Sequence, residues 1–352
     1  MTLLYFVLIL GITVTIHEFG HFLFAKKAGI YVYEFSIGMG PRLFKFNRKN
    51  DETEYSIRLF PIGGYVQMAG EEVEVDENIP VEKRMQSKTW LQRFLTVAAG
   101  VIFNFILCFV LLVGIGIFAG SSDNKYRIAE VEKGSAAEKA GFKAGDKFVS
   151  INGKSTPTAD LFAIELTVNE GKTLTVDIIR DGEEKTIKVK PEKIVDGDVT
   201  SYKYGFSLKT GEYKGVLAPF KYAVNKTWSL LRQMGRTILY LVTGKISLNN
   251  LSGPVGIYTI VGQTAEAGFI NLVYLLALIS LNVGFMNLLP IPAFDGGRLL
   301  FMVIEKIKGK PVDPKIENTI HNIGLILLMI LMFLITINDI LRIIKGWLIW
   351  KR

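Results

Sequence analysis

Residues 17–21 read His-Glu-Phe-Gly-His, and they sit inside an apolar run from Leu3 to Phe24. Two of the three histidines in the chain therefore stand four residues apart. On a helix that spacing puts both rings on one face, one turn apart, where they can grip a single ion. Glu18, beside the first ring, is then placed to act as general base toward water on the metal. A run of this length in lipid must be helical, because a helix satisfies its own backbone there. Ionisable groups are expensive in such a segment, so by default they mark function.

The rest of the chain repeats the apolar theme. Hydrophobic residues make up 49% and charged residues 21%, and the apolar ones are clustered. Four runs, Leu3–Phe24, Phe94–Ala119, Leu272–Leu289 and Ile320–Ile337, are each long enough to cross about 30 Å of hydrocarbon as a helix. The expected fold class is a membrane α-helical protein with about four transmembrane helices. The first run lacks a basic leader and a small-x-small cleavage site, so it reads as a retained span (TM1, residues 1–26). Cys108 is the only cysteine, which excludes an intrachain disulfide and a thiolate metal site. The net charge of +8 is spread over loops without a basic-aromatic motif, so no nucleic-acid partner is expected.

Charge sets the expected topology. Lys26, Lys27, Arg42, Lys45, Arg48 and their neighbours crowd residues 27–92, and Arg298, Lys306, Lys308, Lys310 and Lys315 crowd residues 298–319. The positive-inside rule puts both loops in the cytoplasm. Both termini and the large central region then lie outside. The tail, residues 343–352, pulls the other way, because Lys345, Lys351 and Arg352 would also be outside.

Between the spans, local patterns give the organisation. Leu43–Phe46 and Tyr55–Leu59 alternate in polarity, with Asn47–Glu54 as a hairpin tip and Gly38, Gly40, Gly63 and Gly64 at bends. Residues 71–88 read as a solvated connector to the second span, residues 93–119. Residues 121–210 form a separate α+β unit. Within it Tyr126–Glu132 is strand-like, residues 134–141 are a turn into a short helix, and residues 145–153 are turn, strand, turn. Thr158–Val168 is a helix, and Asp181-Gly182 joins two strands, Thr173–Arg180 and Glu184–Val189. Residues 211–270 hold an amphipathic helix near 216–245 and a connector. The third span covers 271–297 and the fourth 320–342.

A zinc hydrolase centre needs a third protein ligand and one open position. His321, at the start of the fourth run, is one candidate. Asp295 is better placed. It follows Asn287-Leu288-Leu289-Pro290-Ile291-Pro292-Ala293-Phe294 and precedes Gly296-Gly297. Prolines at 290 and 292 cannot continue a helix, so the third span should unwind near its inner end and free a carboxylate to turn. The first and third runs both travel inward, which brings His17, His21 and Asp295 to about the same depth. Asn287 and Asn104 each admit two roles, substrate or oxyanion contact and helix–helix glue.

These residues resemble the site-2 protease family of intramembrane zinc metalloproteases, in particular the bacterial regulator of sigma-E protease branch. The resemblance rests on His17–His21, on N-L-L-P-I-P-A-F-D-G-G at 287–297, on Gly100 and Asn104, and on L-S-G-P-V-G at 251–256. It implies one Zn2+ per chain held by His17, His21 and Asp295, with Glu18 activating water. It implies a membrane-reentrant β-hairpin at residues 34–66 that pairs with extended substrate. Residues 121–208 are similar to a PDZ domain, with Tyr204, Gly205 and Phe206 matching its peptide-end-binding loop. The implied protein is a multi-pass enzyme of the bacterial plasma membrane, with its PDZ domain inserted and extracytoplasmic and its active site toward the cytoplasm. Its implied substrates are single-span membrane proteins such as anti-sigma factors or remnant signal peptides. A non-catalytic scaffold that holds partners through the PDZ-like unit is the alternative; a scaffold has no need of Glu18. A metal transporter would spread polar residues along several spans rather than at one level.

Overall fold

The computed structural model describes residues 1–71, 77–196, 199–247 and 251–350. In chain order the elements are α1 (Thr2–Lys27), β1 (Val32–Asn47), β2 (Glu54–Met68), α2 (Trp90–Phe118), β3 (Ser122–Val131), α3 (Ala136–Ala140), β4 (Lys147–Ile151), β5 (Lys154–Ser155) and α4 (Ala159–Val168). There follow β6 (Leu174–Arg180), β7 (Glu183–Val189), β8 (Glu192–Asp196), β9 (Val199–Lys203), β10 (Phe206–Glu212), α5 (Ala218–Val242), α6 (Pro254–Glu266), α7 (Phe269–Leu288), α8 (Asp295–Lys308) and α9 (Pro314–Trp350). Among the described residues four helices are long and apolar enough to cross a membrane: α1, α2, α7 and the stretch Pro314–Arg342 of α9. The chain divides into two compact units. One comprises residues 1–111 and 252–341, and the other residues 112–251 and 342–352.

In the first unit α1 turns one stripe inward. Its buried residues Ile9, Thr13, His17, Gly20 and Ala25 recur every three to five positions, while Leu4, Leu8, Ile12, Phe19 and Leu23 stay exposed to face lipid. Among lipid-like surroundings packing needs close approach rather than hydrophobic drive. Gly20 supplies it, since a Cβ there would overlap the backbone of Ala99 in α2. Gly284 of α7 likewise meets Phe105 and Asn104 of α2. A core of Phe22, Ala25, Ile30, Phe35, Val97 and Leu299 joins α1, α2, α8 and the sheet.

The segment expected as one hairpin is a more folded object. β1 and β2 each double back, so residue 35 pairs with both 55 and 66 and residue 36 with both 56 and 65. The result is a small antiparallel sheet in the order 64–68, 32–37, 54–58, 42–47. Gly38 (φ 90°) and Gly40 (φ 83°) make the bend in β1, a conformation that costs an L side chain dearly. Gly63 and Gly64 are not among the residues of positive φ. A buried polar knot ties the strands together. Glu34 accepts hydrogen bonds from Ser56, Arg58 and Tyr65, and Arg58 also donates to the Gly40 carbonyl.

The expected break after the third run occurs, with different consequences. α7 stops at Leu288, and Asp295 opens a new helix rather than ending the old span. The cytoplasmic loop expected at 298–319 is largely α8 and the first turn of α9. Gly296 and Gly297 lie in the first turn of α8 although glycine disfavours helix, because close packing decides here. A Cβ at Gly296 would strike the Leu288 and Leu289 carbonyls. The far end of α8 is fastened to α2, where Trp90 donates to the Met302 carbonyl at 2.8 Å and Arg93 pairs with Glu305. The connector expected before the third run holds α6, whose start is capped by Asp339 of α9, accepting from Gly253 and Gly256 N–H groups at 2.8 Å each. Helix α9 continues through the expected tail to Trp350. Residues 72–76 of the expected connector and the tail residues Lys351 and Arg352 lie outside the described residues.

The second unit contains an antiparallel sheet in the order β10-β3-β4-β6-β7, with β5 beside β4, and a separate β8–β9 hairpin. Asp181 (φ 53°) and Gly182 (φ 88°) form the turn between β6 and β7. The core holds Ile128, Ile151, Ile178 and Phe162, all nearly inaccessible. Each such side chain contributes roughly 1.5–3 kcal/mol. Strands β8, β9 and β10 escaped the sequence reading, because their alternation is short and largely polar. Within this unit α5 is bonded to α4: Arg236 and Tyr240 both donate to Glu165, and Lys226 and Ser229 donate to Asp160. Phe220, Val224 and Trp228 remain exposed along the other side of α5.

Candidate metal centre

Three donor atoms converge in the first unit. His17 Nε2 lies 3.1 Å from Asp295 Oδ2, His21 Nε2 lies 3.4 Å from the same oxygen, and the two ring nitrogens are 3.2 Å apart. Zinc held by ligands at about 2.0–2.1 Å in tetrahedral geometry has ligand–ligand edges of roughly 3.3–3.4 Å. The triangle is thus the size of one face of such a shell. Both histidines are 7% exposed.

The donors are also aimed. His21 Nδ1 donates to the Thr96 carbonyl at 2.8 Å, so a neutral ring presents a bare lone pair at Nε2. The Asn104 amide sits 3.2 Å from His17 Nδ1. With its oxygen turned to the ring it accepts the Nδ1 proton and frees Nε2 in the same way, the two ends of an amide being nearly isosteric. Among the described residues Asp295 Oδ2 is buried without a hydrogen-bond donor. Two imidazole lone pairs and a carboxylate oxygen at this spacing repel one another unless a cation lies among them. The donor set, the size and the orphaned oxygen fit a zinc ion.

The local fold explains the convergence. Helix α1 presents His17 and His21 one turn apart. Gly100 of α2 leaves room for both, because a Cβ there would overlap His21 Nε2 and crowd His17 Cε1. The proline-broken turn at 290–294 and the start of α8 deliver Asp295. Glu18 is half-buried beside Gly64 of the sheet, whose Cβ position lies 3.8 Å from Glu18 Cγ.

The remaining candidates separate. Asn104 is fully buried against His17, with Ser280 donating to its backbone carbonyl at 2.9 Å. Asn287 is half-buried in the last turn of α7. His321 is outside the donor group. Its Nδ1 accepts from Ala293 N–H at 3.1 Å. Tyr204, Gly205 and Phe206 lie in the second unit beside an open groove of about 520 Å³. The Gly205 carbonyl accepts from Glu132 N–H at 2.8 Å, and Tyr204 and Phe206 stack with centroids 5.8 Å apart. Thr96 and Ser280 went unnoticed in the sequence. Thr96 acts through its backbone, which carries no residue-type signal, and Ser280 is one small residue among many in an apolar helix.

Comparison with known proteins agrees with this chemistry. The profile of peptidase family M50 matches residues 5–331. The chain is 32% identical to zinc metalloprotease RasP of Oceanobacillus iheyensis, covering 97% of this chain and 99% of that one. It is 35% identical to zinc metalloprotease RasP of Bacillus licheniformis, covering 97% and 99%. It is 34% identical to regulator of sigma-W protease RasP of Bacillus subtilis, covering 97% and 98%. With its apolar helices and relatives of this kind over nearly its whole length, the chain belongs to peptidase family M50, the site-2 proteases, and is a membrane zinc metalloprotease.

Proposed function

We propose that the protein is an intramembrane endopeptidase that cuts transmembrane segments of single-span membrane proteins, acting in regulated intramembrane proteolysis on anti-sigma factors or remnant signal peptides. The observation that carries this reading is the donor triangle of His17, His21 and Asp295 on helices apolar enough to span a membrane. One relative bears the name of a regulator of sigma-W protease, which supports the substrate class.

His17, His21 and Asp295 hold the zinc. When bound, zinc acts as a Lewis acid toward the scissile carbonyl and the attacking water. Glu18 takes a proton from that water and later gives it to the leaving nitrogen. Asn104 and the Thr96 carbonyl keep the two imidazoles in the tautomer that binds metal. A helical substrate hides its peptide bonds in its own hydrogen bonds, so it must unwind before attack. Residues 64–68 form an outer strand of the sheet and begin beside Glu18. A substrate strand added there replaces the lost backbone bonds and passes the general base. Asn287, at the end of α7, is a candidate contact for that strand.

In the second unit β10 pairs with β3 alone among the described strands, leaving an edge next to Tyr204–Phe206. An edge of this kind can take a peptide end as an added strand, in the manner of a PDZ domain. The charge pattern supports an extracytoplasmic position for this unit and an active site toward the cytoplasm, and the bacterial relatives support a plasma membrane location.

The test is cleavage of a model single-span substrate by purified protein. Activity is expected with zinc, not with a zinc chelator, and not in Glu18→Gln despite full zinc content. Full activity in Glu18→Gln removes Glu18 as base.

A further inference from the structure

Helix α9 touches the rest of the first unit lightly. None of its most apolar stretch is buried inside the protein. One of its contacts falls on the turn that delivers Asp295. Gly324 sits against Pro292, where a Cβ would overlap the proline. One turn earlier, His321 Nδ1 accepts the Ala293 N–H at 3.1 Å. A backbone N–H can only donate, so Nδ1 is the unprotonated nitrogen and Nε2 carries the proton. Among the described residues Nε2 is buried without a hydrogen-bond partner, and the ring's one hydrogen bond there is to Ala293.

Ala293 is unusual. Its φ is 80°, in the left-handed region that a residue with a Cβ enters at a cost of about 1–2 kcal/mol. Such a conformation persists only when its surroundings over-determine it. Here the determinants are the prolines on one side, the packing of Gly296 and Gly297 on the other, and His321 from a different helix. Gly297 is tight against the same ring, a Cβ there lying 3.1 Å from His321 Cε1. The imidazole therefore grips the turn on both sides of Asp295.

We propose that His321 is a positioning residue. Its Nδ1, by holding Ala293 in the left-handed conformation, keeps the Asp295 carboxylate against His17 and His21. The proposal rests on the reading of Asp295 as the third zinc ligand. It assigns a task to the one histidine that does not bind metal, and it ties the ligand turn to α9. Outer partners of this kind tune a metal site by orienting its ligands rather than by touching the ion.

Two amides separate the working atom from mere bulk. In His321→Asn the side-chain carbonyl falls where Nδ1 was; in His321→Gln it falls near Nε2. Zinc affinity of the purified full chain, by chelator competition, is expected to stay within about threefold in the Asn variant and to drop about 10- to 100-fold in the Gln variant. Thermal unfolding of the zinc-free forms should be alike in the two. Equal affinity in both variants, whether retained or lost, overturns the proposal. Asp295→Asn is the control. If it binds zinc as well as the parent, the ligand reading itself fails; if it loses zinc while His321→Gln does not, only the role of His321 fails.

Discussion

At the scale of single residues, the centre depends on atoms that are missing as much as on atoms present. Gly100 contributes no side chain, and that absence is its role. A methyl group there would push on the edges of both imidazole rings, and His21 is already pinned by the Thr96 carbonyl. Gly100→Ala is therefore expected to lower zinc affinity by about tenfold or more, with overpacking that costs about 1–3 kcal/mol in stability. Zinc content by elemental analysis, beside a melting curve, checks both. Asp295→Asn keeps the shape of the side chain but removes the anion that offsets the charge of the ion. Its zinc occupancy should fall while the protein still folds, and unchanged occupancy would take Asp295 out of the ligand set.

At the scale of elements, the sheet of β1 and β2 is held by one buried carboxylate. Burial pushes the Glu34 pKa up, but hydrogen bonds from Ser56, Tyr65 and Arg58 outweigh it and hold the carboxyl down at about 2. A depressed folded-state value means that the stabilisation is complete above the ordinary value of 4.5. It is lost as pH falls from there through about 2. Glu34→Gln should cost about 1–3 kcal/mol at neutral pH, because Arg58 loses its charged partner. It should also flatten the fall in melting temperature over that acid window. A variant that melts with the parental pH profile would show that the knot does not hold the sheet. The bends of this sheet were marked by glycines at 38 and 40, but the doubled pairing was not visible. Residues 35 and 36 each bond to two partners far apart in sequence, and alternation alone does not choose between one long hairpin and four short strands.

At the scale of the whole molecule, the metal centre and the α+β unit belong to separate compact parts of the chain. Every donor atom and every residue that aims one lies in the first part. Replacing residues 121–208 with a flexible linker is thus expected to leave zinc content unchanged and to alter which substrates are cut. Parallel cleavage assays on several single-span substrates provide the measurement. Unchanged preference across the set would separate the second unit from substrate choice.

The sequence by itself determined the four apolar helices, the paired imidazoles and the break at Pro290 and Pro292. Each follows from a local rule: length against hydrocarbon thickness, helical period, and a ring that cannot donate a backbone hydrogen bond. It also favoured Asp295 over His321 to complete the donor set, on the proline break before Asp295 and the shared depth of the first and third runs. Only the tertiary structure brings the candidate atoms together. The turn puts Asp295 Oδ2 within 3.4 Å of both rings and turns His321 to a backbone amide instead. The crossing of α1 over α2 at Gly20 and Gly100, the helix that replaces the loop after Asp295, and the folding of β1 onto itself were likewise settled by packing. Such contacts join residues distant in the chain, and their energy depends on shapes that no window of sequence contains.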